Sequence, residues 1–349
     1  MKIFYCGMEY DHYDVRRGWS FEHTNFYMSF AKYPGATVRY FKYDRILEIG
    51  RRAWNEELLA AVKAEKPDLV FFFMYSDELD KSVLEELKKY TTTAAWFADD
   101  NWRFYNYTKF WAKYFTWGIT TFSYMPELYR RAGQPNVIRS QWAANISLYA
   151  PRKQHELKEV PAVSFVGGWT KPRERMVDVL RARGMDVAVF GGGWKDGQRV
   201  SEEVMLEIFS LSKINLGLNP PPGRFGKVSL ARLFLQMSMN KVSLAPHIIA
   251  NVQSWMHMTV SQIKGRHFQV PACGGFTITS TADDLGNYYV PDKEIVFYKD
   301  VDEMVEKVSY YLAHDAEREA IARAGYERTL RDHTYENRFR EIFKAIGLP

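Results

Sequence analysis

Two strand-to-helix junctions in this chain carry cations beside glycines. In "FVGGWTKPRER", Gly167 and Gly168 follow an apolar run, and Lys171, Arg173 and Arg175 surround Pro172, a residue suited to the start of a helix. A helix N-terminus offers free N–H groups and a partial positive charge, so basic side chains at that end suit a diphosphate, and the glycines let a backbone approach it closely. The alternative is a solvated helix start that happens to be basic. In "GRHFQVPACGGF", Arg266 and Gln269 stand three apart and project from one helix face, a cation at the entry and an amide one turn deeper. That pair matches a nucleotide's phosphate and ribose, or else a buried helix with a satisfied Gln and a snorkelling Arg. Gly274 and Gly275 end the helix before a β-branched run. A third glycine cluster, "VFGGGW" around Gly192, lacks both the G-x-G-x-x-G spacing and the following acid, which argues against a nicotinamide dinucleotide.

The N-terminal half offers candidates for proton transfer. "RRGWSFEHTNF" brings Arg17, Glu22 and His23 into the loop region after the first strand, and "WFADDNWRFY" sets Asp99 and Asp100 between Trp96 and Trp102 at a strand end. A carboxylate or imidazole there can act as a general base, orient a sugar hydroxyl or hold a metal, although an Asp pair can equally cap the next helix. No cluster has metal-ligand spacing, so neither a metal nor a bound cofactor is expected. From Asn219 to Met258 the chain mixes Arg224, Lys227, Arg232 and Lys241 with long apolar stretches, which suits an acceptor lid, a partner surface or core helices with a basic edge.

The elements that must position these residues alternate. Strands are expected at "KIFYCG", "TVRYFKY", "DLVFFFMY", "TAAWFA", "ITTFSY" and "NVIRSQW", with amphipathic helices such as "RRAWNEELLAAVKAEK" between them. A charged, proline-bearing stretch from Tyr149 to Pro161 breaks the pattern and reads as a linker. The alternation then resumes with "VSFVGG", "DVAVFGGG", "KINLGLN" and "FTITS". The expected fold is α/β: two Rossmann-like, doubly wound parallel domains facing each other across a cleft, spanning 1–150 and 161–331, with 332–349 as a final helix.

Composition narrows the class. The 349 residues are 46% hydrophobic and 26% charged, with a formal charge of +5 from interleaved signs, so the balance itself selects neither nucleic acid nor membrane. No stretch approaches the length of a membrane span, and the two cysteines, Cys6 and Cys273, fit a reducing cytoplasm.

The run from "RHFQVPACGGF" to "AGYERTLRDHTYENR" resembles the spore-maturation (CgeB-like) group of GT-B glycosyltransferases. Arg266, Phe268, Ala272, Gly274, Gly275, Glu294, Ile295, Ala324, Gly325, His333, Thr334 and Arg338 fill the places of that group's pattern. The resemblance implies a nucleotide-sugar donor held by the C-terminal domain at Gly167, Gly168, Lys171, Arg173, Arg175, Gly192, Arg266, Gln269, Gly274 and Gly275. It implies an acceptor bound mainly by the N-terminal domain and a last helix crossing back toward that domain; the residues there place Arg17, Glu22 and Trp102 on the acceptor side, with Asp100, Asp99 or His23 as the base if transfer inverts and no dedicated base if it retains. Gln269 departs from the pattern by standing where a glutamate is usual, and an amide can accept from only one ribose hydroxyl while donating to the other. Glycosyl transfer without a metal is the function implied, to a glycan, protein, small molecule or modified nucleic acid. A nucleotide-sugar or nucleic-acid binding protein with weak catalysis, and a GT-B-like sugar-nucleotide epimerase, are the alternatives.

Overall fold

The structure is a computed structural model that describes residues 1–220, 226–239, 241–245, 247–282 and 284–349. Arg224 of the basic apolar stretch lies outside the described residues. In chain order the strands begin with β1 (Lys2–Gly7), β2 (Thr37–Lys42), β3 (Leu69–Met74), β4 (Thr92–Phe97), β5 (Trp117–Thr120) and β6 (Val137–Arg139). They continue with β7 (Val163–Val166), β8 (Val187–Phe190), β9 (Ile214–Gly217), a hairpin of β10 (Leu235–Ser238) and β11 (Lys241–Leu244), then β12 (Thr277–Ser280) and β13 (Val296–Tyr298).

Contacts divide the chain into two compact units, one formed by Met1–Gln141, Gly223–Val260 and Tyr335–Pro349, the other by Trp142–Pro222 and Ser261–Thr334. The first unit holds a parallel sheet in the order β2-β1-β3-β4-β5-β6. Its central strand reads "LVFFFM", buried at every position because helices cover both faces of a parallel sheet. The second unit holds a parallel sheet ordered β13-β12-β9-β7-β8, with a core that includes Val163, Phe165, Leu180, Ile214 and Ile278. Both sheets are Rossmann-like, as the alternation of strand and helix requires.

One feature was not expected from the sequence. The segment 223–260, inside the span expected for the second domain, packs with the first unit and forms the antiparallel hairpin plus the helix Ile248–His257. The last helix, Tyr335–Ile346, also belongs to the first unit, as a helix crossing back would: Phe339 stacks on Phe30 with centroids 3.7 Å apart.

Each sheet has a point where strand order reverses, between β1 and β3 in the first unit and between β7 and β9 in the second. Ligands of open α/β sheets sit outside the C-terminal strand ends at such points, because the flanking connections run to opposite faces and leave a crevice.

Candidate functional site

In the second unit the reversal point is occupied by two arginines. Arg173 lies in the first turn of the helix Lys171–Ala182, whose start is fixed by Pro172 and by the Thr170 hydroxyl accepting from the Arg173 N–H. Its guanidinium spans the crevice, donating from Nη1 to Gly168 O at 2.7 Å on the β7 side and from Nε to Leu218 O at 3.0 Å on the β9 side. Arg266, at the start of the helix Arg266–Ala272, reaches the same place. The Phe165 ring lies beneath both guanidiniums, 5.3 Å from Arg173 Cζ and 5.8 Å from Arg266 Cζ.

Neither arginine has an acidic partner among the described residues, and the buried Nε of Arg266 donates to none of them. Burial, then the charge of Arg173, pulls the Arg266 pKa down to about 10, and burial lowers that of Arg173 as well. Two cations desolvated side by side without an anion oppose folding, since two backbone carbonyls replace only part of the hydration Arg173 loses and the Arg266 Nε–H meets no acceptor among the described residues. In chemical terms the pair can receive an anion, with the Arg266 Nε–H left to donate to it.

The surrounding loops make room for it. Gly167 approaches so closely that a Cβ there would meet Phe165 Cζ at 2.7 Å and Arg266 Nη1 at 3.0 Å. The loop after β8 is zipped onto it by the bonds Gly167 N–H to Phe190 O, Trp169 N–H to Gly192 O and Trp194 Nε1–H to Gly167 O. Gly191 has a φ of +135°, and a Cβ on it would lie 2.4 Å from Gly167 O, which is why a glycine stands there.

Next to Arg266, His267 is held neutral. Its Nδ1 accepts from Lys264 N–H at 3.0 Å, so Nε2 carries the proton and can donate to Thr279 Oγ1 at 3.0 Å, with the Asn219 side chain 2.9 Å away. Burial pushes its pKa down to about 3, so no third cation enters the site.

The expected donor residues thus separate into groups. Arg173, Arg266, Gly167 and Gly168 come together at the crevice, with Gly192 in the loop that closes on it. Gln269 is buried one turn along the same helix, 7% exposed. Lys171 and Arg175 lie on the exposed side of their helix, and Lys171 pairs with Glu174 at 2.6 Å. Gly274 and Gly275 stop the helix, their N–H groups donating to Pro271 O and Val270 O. A Cβ on Gly275 would lie 2.0 Å from Phe209 O, so that residue answers to packing. Phe165 is the partner that the sequence reading missed; its signal is an aromatic residue two positions before the glycine pair.

The expected acceptor-side residues all lie in the first unit. Asp100 is sealed in the core, where Thr108 Oγ1 donates to it at 2.6 Å and the Tyr129 hydroxyl donates to its other oxygen. Burial lifts its pKa to about 7 against those bonds. A carboxyl whose oxygens are spent in this way anchors the residues after β4 and presents none to an acceptor. Asp99, in a left-handed turn with φ of +57°, and Trp102 neighbour Arg232, whose Cζ lies 5.0 Å from the Trp102 ring centroid. His23 stacks on Trp19 at 4.4 Å, its buried Nδ1 has no hydrogen-bond partner among the described residues, and burial keeps it neutral. Glu22, 6% exposed, has its pKa pushed up to about 8, chiefly by burial. Arg17 is taken by an ion pair with Asp11 at 2.7 Å. Among the described residues no group of three or more His, Cys, Asp or Glu could hold a metal ion, and no helix is long and apolar enough to cross a membrane.

The architecture is that of GT-B glycosyltransferases. The chain is similar to sucrose-phosphate synthase from Thermosynechococcus elongatus, with 11% identity, 99% of each chain covered and a TM-score of 0.60. It is similar to Anabaena HepE in complex with UDP-glucose, with 10% identity, 99% of each chain and a TM-score of 0.59. It also matches the lipopolysaccharide outer core galactosyltransferase WaaB, with 12% identity, 99% of each chain and a TM-score of 0.55. No curated protein matches the sequence. The glycosyl transferase-like family matches residues 172–344, a span that includes Arg173, Arg266 and Gln269. Over that span the chain is similar to the glycosyl transferase-like family, and its two sheets share the fold of the GT-B structures.

Proposed function

We propose that this protein transfers a sugar from a nucleotide-sugar donor, with the donor's pyrophosphate at Arg173 and Arg266. The observation that carries the reading is the pair of partly desolvated guanidiniums over Phe165, without an acidic partner among the described residues. In glycosyl transfer the bond from the anomeric carbon to the phosphate oxygen breaks and its electron pair stays on that oxygen. Negative charge grows there in the transition state, and cations fixed in advance stabilise it more than they stabilise the ground state. They also neutralise the charge that a metal would otherwise bear, so turnover should persist in a chelator. That HepE is described with UDP and with UDP-glucose favours a uridine diphosphate sugar as the first donor to try.

On this reading the acceptor is bound by the first unit, with His23, kept neutral by burial, or Asp99 as the group that takes its proton. Within the GT-B family, the residues from Arg266 to Arg338 favour the CgeB-like group, with Gln269 as the departure.

Isothermal titration with UDP and UDP-glucose tests the donor site. Arg266→Ala should weaken binding about tenfold to a hundredfold, the loss expected for charge-assisted bonds to phosphate. Product analysis without an acceptor then separates transfer from epimerisation. If neither nucleotide binds at millimolar concentration, or if the variant binds as tightly as the parent, the donor assignment is wrong.

A further inference from the structure

The helix Ile248–His257 is built inside out. It buries Ala250, Asn251 and Ser254, with Asn251 accepting from Asn106 Nδ2 and donating to Leu233 O, both at 3.0 Å. It exposes Ile248 at 55%, Ile249 at 80%, Val252 at 40% and Met256 at 53%. Ordinary surface helices have the reverse pattern, because apolar area left in water is a cost. The preceding hairpin does the same. Leu235 and Leu244 stand directly opposite each other and so share a face, with Val242 two residues along it; Leu244 is 79% and Val242 63% exposed. Among the described residues no stretch of comparable length gathers as many exposed large apolar side chains. A patch of this kind on one element marks an interaction surface.

Charge says what covers it. From Ile208 to Ala282 the sequence contains no Asp or Glu, while Arg224, Lys227, Arg232 and Lys241 all fall within 223–260. Beside the patch, Lys109, Phe110, His247, Ile248 and Ile249 line an open groove of about 620 Å³. A second copy of the chain docking through this face would set one basic segment on another. An anionic lipid surface meets both requirements at once, taking the apolar side chains at its acyl boundary and pairing its phosphates with Lys109 at the groove and the exposed Lys241.

We infer that the β10–β11 hairpin and the helix Ile248–His257 dock the protein on anionic phospholipid bilayers, lying in the interface without crossing it. The inference does not rest on the donor reading. Its test is co-sedimentation of the full chain with vesicles of phosphatidylglycerol and phosphatidylcholine, against vesicles of phosphatidylcholine alone. The protein should pellet with the anionic vesicles and be released by about 0.5 M NaCl, which shortens the reach of surface charge to a few ångströms. Ile249→Glu should lower the partition coefficient about tenfold by removing an apolar anchor, and Lys241→Gln about fivefold. Both side chains are exposed, so unchanged melting temperatures are expected and serve as the folding control. Failure to bind anionic vesicles, or binding that neither substitution weakens, overturns the proposal. A concentration-dependent dimer that Ile249→Glu dissolves overturns it as well, by assigning the face to a second copy.

Discussion

At the scale of single residues, this protein keeps ionisable groups where folding alone would not put them. Arg266 is one and Glu22 is another: a carboxyl 6% exposed, with pKa pushed from 4.5 to about 8 by burial first and then by Asp11, Asp44 and Glu78. The sign of its effect on stability follows from linkage. The folded protein holds the Glu22 proton up to about pH 8, whereas the unfolded chain releases it near pH 4.5, so the folded state binds more protons in between. Stability from this group is fully present below about 4.5 and is lost as the pH rises through about 8. Glu22→Gln cannot ionise and should remove that slope. The difference in unfolding free energy between Glu22→Gln and the parent, measured by denaturant titration, should be small at pH 5, grow in the variant's favour up to pH 8 and then level off, reaching at most about a few kcal/mol. A difference that is flat between pH 5 and pH 9 would show that the carboxyl is solvated in the folded protein.

At the scale of elements, the two glycine loops are the parts whose geometry decides whether the arginines can meet. Gly191 and Gly168 lie in facing loops but do opposite things. Gly191→Ala forces a Cβ to 2.4 Å from Gly167 O at a φ of +135°, so it should cost about 2–4 kcal/mol and disturb the backbone under Arg266. Gly168→Ala meets nothing closer than Gly192 O at 3.9 Å. It should leave the melting temperature within a degree or two, yet weaken nucleotide binding if phosphate approaches that backbone. Thermal melts and titration on the two variants together check this; a destabilised Gly168→Ala would show that the loop is tighter than its contacts indicate.

Elements also show what could be read in advance. The buried strands of both sheets were legible because runs such as "LVFFFM" and "VSFV" admit few other placements beside amphipathic helices. The cations at strand-to-helix turns were legible because such turns gather ligands whatever the family. The 223–260 segment was not, because periodicity reads apolar residues as inward, and here Ile249 and Leu244 point outward while Asn251 and Ser254 point inward. Asp100 misled for a related reason: a carboxyl at a strand end looks catalytic until the hydroxyls of Thr108, two turns of chain on, and Tyr129, on a later helix, are seen to take its oxygens.

At the scale of the whole molecule, the chain leaves its first unit near Gln141, returns for 223–260, and returns again for the helix Tyr335–Ile346. The final return is held by aromatic packing. Tyr335, Phe339, Ile342 and Phe343 recur at helical spacing and are all buried. Phe339 stacks on Phe30 at 3.7 Å, Tyr335 packs on Phe26 at 4.9 Å, and Phe343 meets Tyr33 edge-on at 5.0 Å. Phe26 and Phe30 in turn pack against Phe71 of β3, so the last helix completes the layer over the sheet's centre. Removing one ring should therefore be felt across that layer. Phe339→Ala should cost about 3–5 kcal/mol, as expected for deleting a fully buried phenyl ring that its neighbours cannot close over. Hydrogen exchange should show lost protection in β1 and β3, while β7 and β9 of the second unit keep theirs. If exchange in β1 and β3 matches the parent, the last helix is an appendage to the first unit rather than part of its core.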